Sequence, residues 1–286
     1  MARTISIVGA GRVGKTLGKR LRQLGWRIGA VVTRSAATSR AAVQAIGAGL
    51  ARSGITIDAA SADVILLTTP YDKLAGVARA LAEVGGKGWR GKIVLHTSGT
   101  LDRSVLAPLA RLGAATGSLH PMQTFSGTVT PKLSGVIFAV EGDPKARRAA
   151  QNIARALGGV PVVIEGRDKP VYHATAVLVA GSGFPLIESA VRMLVRIGFT
   201  RRRAMQTLLP LTRQMLDNVE RLGPRTAWTG PLSRGDYAVI ATHAGALKRH
   251  PREVQEAYAA LAHLATRVLS KRPASAAKQL KRALKV

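Results

Sequence analysis

The sequence predicts an α/β fold in which a doubly wound parallel sheet forms the N-terminal part and helices alone form the C-terminal part. Up to about residue 166, short apolar β-branched runs alternate with amphipathic stretches of helical spacing. This alternation favours a parallel sheet with right-handed crossovers. Beyond residue 166 the strand pattern disappears and long helices follow. We therefore expect two domains, residues 1–166 and residues 167–286.

The individual elements follow from apolar periodicity, with glycine and proline as punctuation. The run at 63–69, Asp-Val-Ile-Leu-Leu-Thr-Thr, is typical of a strand buried in a parallel sheet. Residues 273–286 fit either a frayed basic helix or a disordered tail. Strands are predicted at 4–8, 26–32, 63–69, 92–96, 114–119, 136–140 and 160–164, with a weaker candidate at 55–57; helices at 13–24, 36–50, 74–84, 101–112, 144–157, 170–197, 201–222, 236–248 and 251–271.

Composition excludes several classes of protein. The chain has no cysteine, which removes disulfide scaffolds, thiolate metal sites and cysteine nucleophiles. The histidines lie far apart, without an H-E-x-x-H pattern, so we expect no metal. A serine hydrolase is disfavoured because the sequence contains no G-x-S-x-G motif, the turn that carries the nucleophile in that class. No continuous apolar run approaches the roughly 18 residues of a membrane span, and no signal peptide is recognisable, so a cytoplasmic protein without a membrane contact is expected.

The charge is strongly positive, with 43 Lys and Arg against 15 Asp and Glu, a net +28. Such a field attracts anions. A nucleic-acid role is disfavoured because the basic residues are spread along the chain, aromatics make up only 4%, and no DNA- or RNA-binding motif occurs. A phosphate-rich cofactor would benefit from the same field.

A G-x-G-x-x-G motif stands at residues 9–14, between a predicted strand and a predicted helix. Gly9 allows a tight turn, Gly11 allows the backbone to approach a pyrophosphate, and Gly14 allows the helix to pack on the sheet. The intervening Arg12 and Val13 join the predicted cofactor contacts. A glycine-rich turn without a ligand is the alternative. The context favours a Rossmann dinucleotide site.

The residues that select NAD or NADP usually lie about 20 residues further on, at the end of the second strand. There the chain has Thr33, Arg34 and Ser35, with no carboxylate to repel a 2′-phosphate. A guanidinium and two hydroxyls suit a phosphate, which favours NADP over NAD. The alternative is that Arg34 is a solvated loop residue, which would leave the cofactor open.

The ends of the other strands should face the same crevice. We therefore predict cofactor contacts from Thr69, Pro70 and Ser98. His96 lies nearer its strand, where a core or rim histidine is the better interpretation.

Three further segments resemble a known family. They are His-Pro-Met-Gln-Thr-Phe at 120–125, Tyr-His-Ala at 172–174, and Thr-Gly-Pro-Leu-Ser-Arg-Gly-Asp at 229–236. With the glycine motif, they resemble Rossmann-like proteins that carry the domain of unknown function DUF2520, over residues 1 to about 270. The resemblance implies an NADP-linked oxidoreductase fold related to ketopantoate reductases, pyrroline-5-carboxylate reductases and 6-phosphogluconate dehydrogenase, with a helical second domain of the last type. It implies little about the substrate.

The long helix departs from the family pattern at Gly181, where an Asn usually stands eight residues after the histidine. Related β-hydroxyacid dehydrogenases use a Lys and an Asn on this helix to contact substrate. Glycine has no side chain to donate a hydrogen bond. Either the substrate differs, or Ser182 takes over the contact.

Hydride transfer to a C=O or C=N group needs a proton donor within hydrogen-bond reach. We predict His173 as that donor, since it stands near the start of the first helix after the nucleotide domain, and His120 as a second acid or substrate orienter. The alternative for His173 is packing at the start of a helix, and the alternative for His120 is shaping of a loop. Arg234 is predicted to bind a substrate carboxylate, while Ser233 and Asp236 are placed to cap the next helix.

The sequence thus predicts an NADP-dependent oxidoreductase acting on a small, anionic carbonyl or imine compound, such as the 2-oxo acid ketopantoate. The alternative is a non-catalytic NADP-binding sensor or scaffold. Long helices with apolar faces in the second half favour a homodimer through that domain.

Overall fold

A computed structural model describes residues 4–86, 88–127 and 129–285. The chain divides into two compact units, Met1–Ala180 and Gly181–Val286.

The first unit is built on an eight-stranded sheet with the order β3-β2-β1-β4-β5-β6-β7-β8. The strands from β3 to β6 are parallel to their neighbours, β7 runs antiparallel to β6, and β8 is parallel to β7. The order 3-2-1-4-5-6 is that of doubly wound dinucleotide-binding sheets, so the predicted fold class is confirmed. The strands are β1 Thr4–Val8, β2 Arg27–Thr33, β3 Leu50–Ser53, β4 Val64–Leu67, β5 Ile93–His96, β6 Ala115–Pro121, β7 Ile137–Gly142 and β8 Val160–Val163.

Helices cover both faces of this sheet. Leu17 of α1 and Ile153 of α6 pack in one buried cluster with alternate strand residues, and Leu74 of α4 packs in another cluster with the residues between them. Successive side chains of a strand point to opposite faces of the sheet, so a strand buried on both faces contributes alternately to the two clusters. The helices of this unit are α1 Arg12–Gln23, α2 Ala36–Ile46, α3 Ile57–Ala60, α4 Tyr71–Gly85, α5 Ala107–Arg111, α6 Pro144–Ala156 and α7 Lys169–Ala176.

Two predicted elements need correction. The weak strand candidate at 55–57 is wrong: β3 lies at Leu50–Ser53, and Ile57 begins α3. β3 is a half-exposed strand at the edge of the sheet, so it lacks the apolar run that marks the central strands. The helix predicted at 101–112 is divided into a 3₁₀ turn, Arg103–Leu106, and α5.

The second unit is helical. Its buried cluster joins Ile240, Ala262, Leu280 and Ala283 from three helices. Because the last two belong to α14, Pro273–Ala283 is a packed helix, whereas the sequence suggested a frayed helix or a disordered tail. The helices are α8 Ser182–Arg196, α9 Arg201–Leu222, α10 Pro224–Ala227, α11 Pro231–Arg234, α12 Tyr237–Leu247, α13 Arg252–Leu269 and α14 Pro273–Ala283.

One helical segment runs through the division between the units. It comprises a 3₁₀ turn, α7, a π-helical stretch at Val177–Gly181, and α8. The whole segment, Gly166–Arg196, is long and apolar enough to cross a membrane by length and composition, a test that core helices of soluble proteins also pass. The segment is not a continuous apolar run, because polar residues such as Ser182 and Glu188 interrupt it. The predicted boundary at residue 166 follows the end of the sheet, whereas the compact units divide inside this helix.

Candidate active site

The glycine turn follows β1 and lies at the carboxyl end of the sheet. Gly9 has φ 86°, and its N–H donates to the carbonyl of Val32 at 2.9 Å. A Cβ at Gly9 would collide with Thr69, and one at Gly14 would approach Ile7 Cγ2 to 3.1 Å. Both positions therefore exclude side chains, the first in the turn and the second where α1 packs on β1.

The N-terminus of α1 is open. Gly11 is its N-cap, no described side chain caps the helix, and the first turn carries no acidic residue. Among the described atoms, a Cβ at Gly11 would meet only Gly9 O within 4 Å, at 3.8 Å. Backbone N–H groups and the positive end of the helix dipole suit a phosphate here. Arg12 lies against Gly127, and Val13 packs on the core.

Thr68 holds the glycine turn in place, which the sequence did not indicate. Its Oγ1 donates to the carbonyl of Gly9 at 2.7 Å, and its N–H donates to the carbonyl of Val8 at 2.8 Å. Thr68 follows β4, the neighbour of β1 in the sheet. Only this pairing, which is not visible in the sequence, brings the hydroxyl to the turn.

The residues predicted to select the cofactor follow β2. Ser35 is the N-cap of α2 and accepts from Thr38 N–H at 3.3 Å, while Thr33 Oγ1 lies 2.6 Å from Thr38 Oγ1. These two hydroxyls therefore stabilise the helix start. Arg34 is exposed, and the described part of the chain offers it no ion-pair partner.

The remaining predicted cofactor residues differ in their surroundings. Thr69 Oγ1 is buried and has no hydrogen-bond partner among the described residues. Pro70 is the exposed N-cap of α4. Ser98 Oγ accepts from the N–H groups of Thr100 and Leu101 at 3.2 and 3.1 Å, so this hydroxyl shapes the loop after β5.

The two histidines predicted for catalysis lie together. The ring centroids of His120 and His173 are 5.7 Å apart at an interplanar angle of 74°. His120 Nδ1 shares a hydrogen bond of 3.1 Å with the hydroxyl of Tyr172, whose ring meets it edge-on. A Cβ at Gly99 would lie 2.5 Å from His173 Cδ2 and 2.8 Å from His120 Nε2. Gly99 therefore permits this close approach, a role that was not predicted.

A buried polar network lies beside the histidines. Lys169, the first residue of α7, is fully buried, and its ammonium donates to the carbonyl of Ser98 at 3.0 Å and to Ser118 Oγ at 2.8 Å. Ser118 in turn donates to Glu141 Oε2 at 3.3 Å. Sequence reasoning missed all three side chains, although a polar residue opposite another in neighbouring strands is a usable signal.

His96 is a buried core histidine, which confirms the interpretation of its position. Its Nδ1 accepts from the N–H of Ser98 at 3.2 Å, so Nε2 carries the proton and donates to the carbonyl of Asp102 at 3.1 Å. Burial first, and then the charge of Lys169, lower the pKa of His96 to about 3. His96 is therefore a neutral, fixed residue at the end of β5.

The pKa values of His120, Tyr172 and Lys169 are shifted in different directions. Burial, followed by the charges of Lys169 and His173, lowers the pKa of His120 to about 4. Burial raises the pKa of Tyr172 to about 12 and lowers that of Lys169 to about 8, against the attraction of Glu141 and Asp102. Near neutral pH, His120 is an uncharged imidazole and Tyr172 keeps its proton.

The predicted substrate residues of the second unit have local partners. Arg234 Nε pairs with Asp236 Oδ2 at 3.0 Å. Asp236 stands at the N-cap position of α12, as predicted, but its side chain makes no cap hydrogen bond with the described residues and is engaged by Arg234. Ser233, also predicted as a cap, donates to the carbonyl of Gly230 at 2.8 Å. Ser182 begins α8 directly after the π-helical stretch. Substrate contacts from Ser182 and Arg234 stay predictions.

Comparison with known proteins identifies both parts of the chain. A Rossmann-like domain model matches residues 2–121, and the model of the domain of unknown function DUF2520 matches residues 136–265. No curated protein matches the sequence.

Solved structures share the fold at low identity. A candidate NADP oxidoreductase from Bacteroides fragilis is 23% identical with a TM-score of 0.76, covering 91% of this chain and 96% of that one. A reductive aminase from Aspergillus terreus, solved with NADPH and ethyl-5-oxohexanoate, is 19% identical with a TM-score of 0.67 and coverages of 93% and 94%. A 1-pyrroline-5-carboxylate reductase from Streptococcus pyogenes is 16% identical with a TM-score of 0.61 and coverages of 100% and 99%. The chain therefore carries a Rossmann-like domain followed by a DUF2520 domain, the two domains that its motifs indicated.

Proposed function

We propose that this protein is an NADP-dependent oxidoreductase that transfers a hydride between NADPH and a small carbonyl or imine compound. One observation carries the proposal. The glycine turn follows β1 and the histidine pair involves the ends of β5 and β6, and these strands belong to one parallel stretch of sheet. Their carboxyl ends therefore face the same edge, which is where such sheets bind nucleotides and substrates.

The residues at this edge fit the cofactor. The open N-terminus of α1 would hold the pyrophosphate, and Arg34 would hold the 2′-phosphate, with no carboxylate beside it. The buried, unpaired hydroxyl of Thr69 adjoins the glycine turn and is a further polar contact that a ligand could complete after a small shift. When bound, NADPH would supply the hydride.

The protein's own contribution to the chemistry is the proton. Hydride addition to C=O or C=N leaves a substrate atom that must be protonated. His173 is the donor in this proposal. His120, neutral and hydrogen-bonded to Tyr172, would orient the substrate atom as an uncharged partner. Fold neighbours crystallised with NADPH and a ketone ester support a carbonyl or imine substrate.

The positive charge of the chain supports an anionic substrate, such as a 2-oxo acid.

The test is a fluorescence titration with NADPH and NADH at fixed ionic strength. We expect preference for NADPH, and an Arg34→Asp variant should lose at least about tenfold in NADPH affinity while its NADH affinity changes little. Arg79→Asp, an exposed position on α4, makes the same charge change elsewhere and should bind like the parent. Binding of neither nucleotide would refute the proposed function.

We further propose a homodimer that covers the apolar helix Gly166–Arg196. In the most apolar 18-residue window of this helix only 6% is buried, and side chains such as Leu178, Val179 and Phe184 are more than half exposed. A second copy of the chain is the occupant that this proposal selects, because large exposed apolar surfaces mark association sites. Sedimentation should give twice the 30.1 kDa chain mass, and Val179→Glu should shift it to the monomer. A monomeric parent protein, or one recovered only with membranes, would contradict the dimer.

A further inference from the structure

We propose that Lys169 is the positioning residue of the histidine pair: its ammonium fixes the segments that carry His120, His173 and Gly99 relative to one another. Its effect on turnover rests on the proposed function. Its effect on the histidines themselves does not.

The hydrogen bonds of Lys169 reach every segment that forms the pair. Lys169 lies on α7, about one turn before Tyr172 and His173. It donates to the carbonyl of Ser98, the neighbour of Gly99, and to the hydroxyl of Ser118, two residues before His120. One ammonium therefore joins the loop after β5, strand β6 and the start of α7.

Lys169 is placed to hold the site and not to react in it. Its side chain is fully buried, and both of its hydrogen bonds are internal. Burying a lysine ammonium costs folding free energy even when it is hydrogen-bonded, unless a negative charge nearby compensates it. Here Glu141 of β7, reached through Ser118, and Asp102 of the loop supply the negative charge.

The same ammonium also acts on the charge of the nearby imidazoles. The groups around it are Glu141 on β7, Asp102 in the loop, His96 on β5 and His120 on β6. A fixed positive charge opposes protonation of a neighbouring imidazole. Burial is the main cause that keeps His120 neutral, and the charge of Lys169 adds to it.

The experiment compares Lys169→Met with Lys92→Met. Lys92, the residue before β5, is a matched control. Its ammonium also donates to two acceptors, the carbonyls of Ser61 and Ala62. In Lys169→Met, we expect the His120 pKa, followed by NMR of the imidazole, to rise by about one unit through loss of a like charge. NADPH affinity should stay within about twofold. Turnover should fall about 10- to 100-fold, as expected when reacting groups lose alignment. Lys92→Met should leave all three unchanged.

A folded Lys169→Met protein whose His120 titrates as in the parent would overturn the proposal. If Lys169→Met does not fold, Ser118→Ala keeps the lysine and removes one acceptor. In that variant, turnover should fall while the His120 pKa stays low, and unchanged turnover would count against the positioning role. If no substrate is ever turned over, the proposed function fails. The titration of the His120 imidazole in Lys169→Met still tests whether Lys169 acts on the histidine pair.

Discussion

The glycine turn and the histidine cluster lie at the same edge of the sheet, yet they are built differently. The turn is made of consecutive residues, and its shape depends on the backbone of Gly9 and the open start of α1. The cluster is made of side chains from β5 to α7, held by Lys169 and Ser118. The first site depends on sterics that a few adjacent residues determine, whereas the second depends on hydrogen bonds that only the completed fold can form.

The largest effect expected in this comparison concerns His173 in the cluster. His173→Ala should lower turnover by about 100- to 1000-fold, because a positioned general acid contributes on that order. NADPH affinity should be unchanged, since the glycine turn is intact. Steady-state kinetics and a binding titration measure both, with His263→Ala, an exposed histidine of α13, as the control. Equal turnover in His173→Ala and the parent would remove the proton-donor role.

The glycine turn can be tested with two glycines of similar backbone angle. Gly9 and Gly25 have φ 86° and 83°, but a Cβ at Gly25 would meet nothing within 4 Å. Gly25→Ala should cost about 1 kcal/mol for the left-handed backbone. Gly9→Ala adds the collision with Thr69 and should cost roughly 2 kcal/mol more, with at least a tenfold loss of NADPH affinity. Equal costs in denaturant unfolding would show that the turn tolerates a side chain.

A smaller effect concerns the pH dependence of stability. The folded pKa of Lys169 is about 8, against 10.5 as its ordinary value. Between these pH values the unfolded chain binds more protons at this lysine, so folding stability contributed by Lys169 rises with pH across that window. Relative to Lys169→Met, the parent should gain about 2 kcal/mol from pH 8 to pH 10.5. Denaturant unfolding at several pH values measures this difference, and Lys92→Met should behave like the parent. Parallel pH curves for Lys169→Met and the parent would show that the lysine keeps its ordinary pKa when folded.

The same contrast explains how far the sequence could be interpreted. The central strands and the glycine motif were predictable because apolar runs and turn residues act over a few positions. β3 was misplaced, and the antiparallel direction of β7 was not anticipated, because edge strands and strand direction depend on long-range pairing. His120 and His173 were identified as site residues from the family resemblance and chemistry. Lys169 and Glu141 were not, because their burial depends on the strands and the loop that pack around them in the completed fold.

Gly99 has a consequence that reaches beyond catalysis. It has no functional group, yet the absence of a side chain sets how near two imidazole rings can come. A single methyl group there would collide with both rings and displace at least one of them. Under the proposed function, Gly99→Ala is therefore expected to bind NADPH without turnover, a form suited to capturing an unreacted substrate from a mixture of metabolites.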